Sequence, residues 1–218
     1  MENTSLNIIE IVGTISTELK FDHEYYGENF YTFDITTNRL SDTNDILPAI
    51  VSDRLIDVKE LTVGTRISVS GQLRSYNVKE NERLKLILKV FVRDITVLTE
   101  DVEDSNVIEL NGYICKPTVY RQTPKGREIC DVIVATNRAF GKSDYIPTIC
   151  WGRNAKFAKN LEVGDNVKLT GRFQSREYSK RVAEDEYITK TAYEVSVSRI
   201  ECINATTTVE EEITEPAE

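Results

Sequence analysis

Residues 161–175, LEVGDNVKLTGRFQS, gain their meaning from residues 61–75, LTVGTRISVSGQLRS. The two stretches match at an offset of 100, and the match extends outward in both directions. Toward the N-terminus, NIIEIVGTI at 7–15 returns as NVIELNGYI at 106–114, and DILPAIV at 45–51 returns as DYIPTIC at 144–150, both at 99. Toward the C-terminus, VRDI at 92–95 pairs with VSRI at 197–200, at 105. An offset that holds through apolar segments and steps up between them indicates a duplicated domain with loop insertions. Two units of about 100 residues suit a chain of 218.

Within each unit the apolar residues recur every second position, as strands require. Val167, Leu169, Gly171 and Phe173 alternate with Lys168, Thr170 and Arg172. Between the third and fourth strands, GRNAKFAKNLEVG leaves room for one or two helical turns. Five strands with a short helix in that place, within roughly 100 residues, predict an all-β fold of two tandem OB-folds, each a five-stranded Greek-key barrel. The expected boundaries are 1–100 for an acidic first domain, 101–105 for a linker, 106–203 for a basic second domain and 204–218 for a disordered acidic tail.

The net charge of −9 argues against a nucleic-acid partner only until the chain is divided. The first repeat carries −5 and the second +4. Basic and aromatic residues are gained or lost as a set. Arg121, Lys125, Arg127, Lys156, Arg172 and Arg176 correspond to Asp22, Tyr26, Glu28, Asp57, Gln72 and Tyr76. Phe140, Tyr145, Trp151 and Tyr178 correspond to Ser41, Ile46, Ser52 and Val78, while Arg138 and Arg153 persist as Arg39 and Arg54.

In YIPTICW, residues 145–151, strand parity puts Tyr145, Pro147, Ile149 and Trp151 on one face and Ile146, Thr148 and Cys150 on the other. A core tryptophan replaced by serine in a sister copy would leave a defect of about 3–5 kcal/mol. Trp151 therefore reads as a ring turned toward a ligand. Aromatics interleaved with arginines suit single-stranded nucleic acid, because every base offers a π-face and each phosphate a negative charge.

Catalysis finds no support. His23 is the one histidine, and neither a Gly-rich phosphate loop nor metal-spaced carboxylates accompany it. The four cysteines are far apart and suggest buried, reduced thiols. No basic leader or apolar run of membrane-spanning length is present, which predicts a cytoplasmic protein, and the nucleic-acid reading adds association with the nucleoid.

The second repeat resembles the bacterial single-stranded DNA-binding protein (SSB) family and its primosomal PriB branch. The resemblance rests on GYICKPTVYRQTPKGREICDVIVATNR, DYIPTICWGRNA and LEVGDNVKLTGRFQSREY, which fall in family order over nearly all of 106–203. It implies an OB-fold that binds single-stranded DNA without sequence preference, and no catalysis or cofactor. It places stacking aromatics at Phe140, Tyr145, Trp151 and Tyr178. With them, Arg121, Lys125, Arg127, Arg138, Lys142, Arg153, Arg172 and Arg176 complete the expected binding set. The family commonly assembles four OB-folds, a number that a two-repeat chain reaches as a homodimer. Expected partners are single-stranded DNA, with RNA as an alternative ligand, and replication or repair proteins, with no membrane. The tail departs from the family by ending in TEPAE, without an Asp-Asp-Ile-Pro-Phe tip. The first repeat keeps the framework without the ligand face, which suggests a scaffolding role. The rival reading is a protein-interaction or primosome-assembly module with weak or no DNA binding.

Overall fold

The computed structural model describes residues 6–39, 41, 43–80, 83–183 and 186–203; the expected tail lies outside them. In the first repeat the strands are β1 (Leu6–Ile15), β2 (Lys20–Tyr25), β3 (Glu28–Asn38), β4 (Asn44–Ser52), β5 (Arg66–Glu80) and β6 (Arg83–Val97). In the second they are β7 (Ser105–Ile114), β8 (Val119–Gln122), β9 (Glu128–Arg138), β10 (Lys142–Trp151), β11 (Asn166–Ala183) and β12 (Glu186–Cys202). A six-residue helix, α1 (Arg153–Ala158), follows β10. Its first-repeat counterpart is a single 3-10 turn over Val58–Glu60, capped by the Asp57 side chain on the Lys59 amide.

Each repeat has six strands where the sequence suggests five, because the first strand is interrupted. β1 pairs with the far end of β3 through Thr14–Thr36 and Ile15–Ile35, and β2 resumes along the same edge from Lys20–Thr32. β7 and β8 share β9 in the same way. Each barrel closes through a short parallel pairing, Ala49–Val90 in one repeat and Thr148–Val195 in the other. This is the OB-fold, twice.

Alternation builds the core. In β1, Ile9, Ile11 and Ile15 are buried while Ile8 and Glu10 face out. Gly71 and Gly171 sit at register shifts in β5 and β11, where a side chain would strike the carbonyl of Phe91 or Ser196. Of the cysteines, Cys130 and Cys150 are buried opposite each other, whereas Cys115 and Cys202 are half-buried. The expectation of four buried thiols is corrected to two. No described helix is long and apolar enough to cross a membrane.

The two barrels join into one twelve-stranded sheet through an antiparallel β1–β7 ladder. Ile9 pairs with Ile108, its own counterpart at offset 99, so a local two-fold axis passes through that pair. Asn7 lies in this ladder, and its side chain donates to the Leu73 carbonyl (2.8 Å) and accepts from the Leu73 amide (2.9 Å). Asn106 does the same to Phe173. The expected linker is also tethered: the Asp104 carboxylate accepts from Arg66 and from the Asn38 amide.

Candidate nucleic-acid interface

Strand β10 sets the geometry. Ile146, Thr148 and Cys150 are buried in the barrel, and Trp151, at the strand end, is half-buried outside the main core cluster. Ile149 shares the Trp151 face yet is buried, as is Ile129, which lies directly across from Trp151 on β9. The ring thus rests beside two isoleucines on the outer face, where same-face neighbours cover one another. Gly152 turns the chain immediately afterward, with φ of 51°, and α1 begins at the exposed Arg153.

Four of the expected residues meet here. Trp151, Arg127, Arg172 and Arg176 line a shallow cleft of about 430 Å³ with Gln174, Ser175 and Ser196. Its eighth wall residue is Arg39, which comes from the first repeat. Arg39 holds Asp45 with two hydrogen bonds and donates to the Ser175 carbonyl (3.2 Å) across the junction. Asp45 in turn accepts from the Ser175 amide (2.9 Å). Burial lowers the Arg172 guanidinium below its ordinary pKa, and the nearby Arg39 charge adds to the effect. Arg176 donates to Glu194 (3.2 Å), which also accepts from Gln174. Two residues farther along β11, the Tyr178 ring lies 5.8 Å from the Arg176 guanidinium.

The remaining expected residues lie elsewhere. Arg121 is held by Asp131 on the neighbouring strand (2.8 Å), and Lys125 is exposed in the β8–β9 turn. Arg138 lies 3.6 Å from the buried Asp144 at the domain junction. Phe140, fully exposed with φ of 62°, and Lys142 belong to the β9–β10 hairpin. Tyr145 is exposed on β10, its amide bonded to the Ser75 hydroxyl of the first repeat (2.9 Å). It is six residues from Trp151 on one strand, roughly 20 Å at 3.3 Å per residue.

Arg39 had one signal in the sequence: it is kept in both copies where most of the basic set is not. Its reach into the other repeat depends on the β1–β7 register, which no local pattern encodes.

The equivalent face of the first repeat is closed. Ser52 is buried opposite Phe30, so the ring has moved to the partner strand. His23 stacks on Phe30 at 4.8 Å, and Asp22 reaches over β3 and β4 to Lys89 on β6 (3.0 Å). That ion pair draws β2 over the face. In the second repeat Arg121 turns to the adjacent strand instead, and the cleft stays open.

Residues 105–203 match the model of the single-strand binding protein family. A curated relative, single-stranded DNA-binding protein 3 of Streptococcus agalactiae, is 29% identical over 96 residues, which is 41% of this chain and 70% of the relative. Among solved structures, wild-type single-stranded DNA binding protein from Thermus aquaticus superimposes with a TM-score of 0.69 at 19% identity, covering 98% of this chain and 96% of that one. The N-terminal domain of PriB from Thermoanaerobacter tencongensis is 49% identical, covers 43% of this chain and 98% of its own, and has a TM-score of 0.38. The whole-chain superposition places both repeats in one known two-barrel fold, and the match over 105–203 identifies the second repeat as a domain of the single-strand binding protein family.

Proposed function

We propose that the chain binds single-stranded DNA without sequence preference, through the cleft around Trp151 in the second repeat. The observation that carries this reading is the convergence of one indole ring and four guanidinium groups on one open barrel face. The ring offers a surface on which any base can stack, and the arginines offer charge to phosphates. Tyr178, with Arg176 near its ring, extends the stacking surface along β11. The family match over the same residues supports the reading, as does the name of the Streptococcus relative. Binding of this kind protects exposed strands during replication, recombination or repair and requires no catalytic group. A second copy of the chain would bring the number of OB-folds to four.

Trp151 is the only tryptophan, so its emission reports on the site directly. Oligo-dT is expected to quench it, with affinity falling steeply as salt rises. Trp151→Ala is expected to weaken binding by about 1–3 kcal/mol while the domain remains folded. Undiminished emission at saturating oligo-dT and low salt would remove the DNA reading and favour a protein-assembly module. A parallel titration with oligo-U measures the preference between DNA and RNA.

A further inference from the structure

The local two-fold axis carries the Trp151 cleft onto a second place in the molecule. There Gln72, Arg74, Tyr76, Arg138 and Asp144 stand where Arg172, Gln174, Arg176, Arg39 and Asp45 stand in the first. One positive charge reappears two residues along the strand, at Arg74. The Arg74 guanidinium lies 3.3 Å over the centre of the Phe91 ring and donates to the Gln72 side-chain oxygen (3.3 Å). The exposed Arg93 donates to that same oxygen (3.1 Å).

Arg138 enters from the second repeat beside Asp144, whose Oδ1 already accepts from the Ser75 amide (2.8 Å). The Nε atoms of Arg74 and Arg138 are both buried without a hydrogen-bond partner. Burial lowers the pKa of Arg74, and the charges of Arg138 and Arg93 push in the same direction. Arg74 thus stands between two further guanidinium groups, Arg138 with its carboxylate Asp144 on one side and Arg93 on the other, which leaves an excess of positive charge. An anion with several acceptor oxygens relieves it.

Aromatic surface stands at the same junction. Tyr145 is 46% exposed and bonded through its amide to Ser75, next to Tyr76 in the chain. Phe140 is two residues past Arg138 at a fully exposed turn. These two rings, grouped with Trp151 by their position in the sequence, are exposed on the second repeat, and the Tyr145 backbone is bonded across the junction to the residue that follows Arg74. Phe91 and Phe30 are covered by Arg74 and His23, so this face of the first repeat supplies charge while the second supplies the open rings.

We propose that Arg74 and Arg93 of the first repeat, with Arg138 and Tyr145 of the second, form a separate station for the same single strand. Phosphodiester groups would lie on the three arginines and a base on Tyr145. This rests on the DNA reading above and extends it. The first repeat then takes part in binding through the junction, although its own barrel face is shut.

The test uses the full chain and two lengths of oligo-dT: one of about eight nucleotides, within one OB-fold footprint, and one of about 30, roughly two footprints. Trp151 quenching by the short strand reports the first cleft alone, and failure there would count against the DNA reading and not against this station. In Arg74→Gln/Arg93→Gln, short-strand affinity is expected to stay within about twofold. Long-strand affinity is expected to fall about tenfold or more, with a log–log salt slope shallower by about 1.4, or about 0.7 for each phosphate no longer neutralised. Arg93→Gln alone, at an exposed position, is expected to give about half of that change in slope. Unchanged long-strand affinity and slope would overturn the proposal. An equal loss for both strands would overturn it too, by assigning the arginines to junction stability.

Discussion

At the scale of single residues, burial decides what each side chain is able to do. Cys150 lies in the core opposite Cys130, and burial pushes its thiol up to about 12 from an ordinary value near 9. A thiol that holds its proton more tightly when folded stabilises the native state below pH 9. That contribution is lost as pH rises from 9 toward 12, because the unfolded chain releases the proton first. The unfolding free energy is therefore expected to fall with pH in this window by up to about 1.4 kcal/mol per unit from this group. Cys150→Ala should flatten the slope relative to the parent, as read by denaturant unfolding at several pH values. Equal slopes would mean the thiol is better solvated than its burial indicates.

Residue identity alone also carried part of the candidate site. The pairing of Trp151 with Ser52 turned the ring outward on parity, and the structure brings it together with Arg127, Arg172 and Arg176. Arg138 could not be read the same way. It is kept in both copies, but that it stands 3.6 Å from Asp144 at the junction depends on how the two barrels meet.

At the scale of elements, the strands and their order followed from periodicity and repetition, while the breaks did not. The division of the first strand into two pieces along one partner is a consequence of barrel curvature, which leaves only a short polar gap in sequence. The register shifts before Gly71 and Gly171 are equally silent until both strands are present. At Gly171 even a methyl group would meet the Ser196 carbonyl, so Gly171→Ala is expected to cost about 1–3 kcal/mol by overpacking. Thermal unfolding of the variant checks this, and an unchanged Tm would show that β12 can shift away. The contrast between β2, tied over its face by Asp22 and Lys89, and β8, held flat by Asp131, also rests on contacts between distant strands.

At the scale of the whole molecule, the β1–β7 ladder turns two homologous barrels into one body. The Asp45–Ser175 and Asp144–Ser75 contacts repeat on either side of the axis and bind each barrel to the other's long strand. Scanning calorimetry is expected to give a single transition for residues 6–203. Asn7→Ala leaves the buried Leu73 amide without its partner, and a loss of about 1–3 kcal/mol is expected to shift that whole transition. Two separated transitions, with only one displaced by the substitution, would show that the barrels unfold independently. None of this was legible beforehand. Duplication announces that two similar units exist, but their relative placement depends on which exposed edge of each finds the other.

The axis through Ile9 and Ile108 relates the backbones and the junction contacts but not the side chains of the two clefts. In a dimer of identical chains such an axis would make both ends of the molecule alike, and a polymer lying across it would meet the same surface from either direction. Here one end presents an indole, and the other an exposed tyrosine and a guanidinium stacked on Phe91. A nucleic-acid strand has a 5′ and a 3′ direction, so reversing it exchanges which end meets which surface. Fusion of the two copies thereby gives a nearly symmetric scaffold a sense of direction.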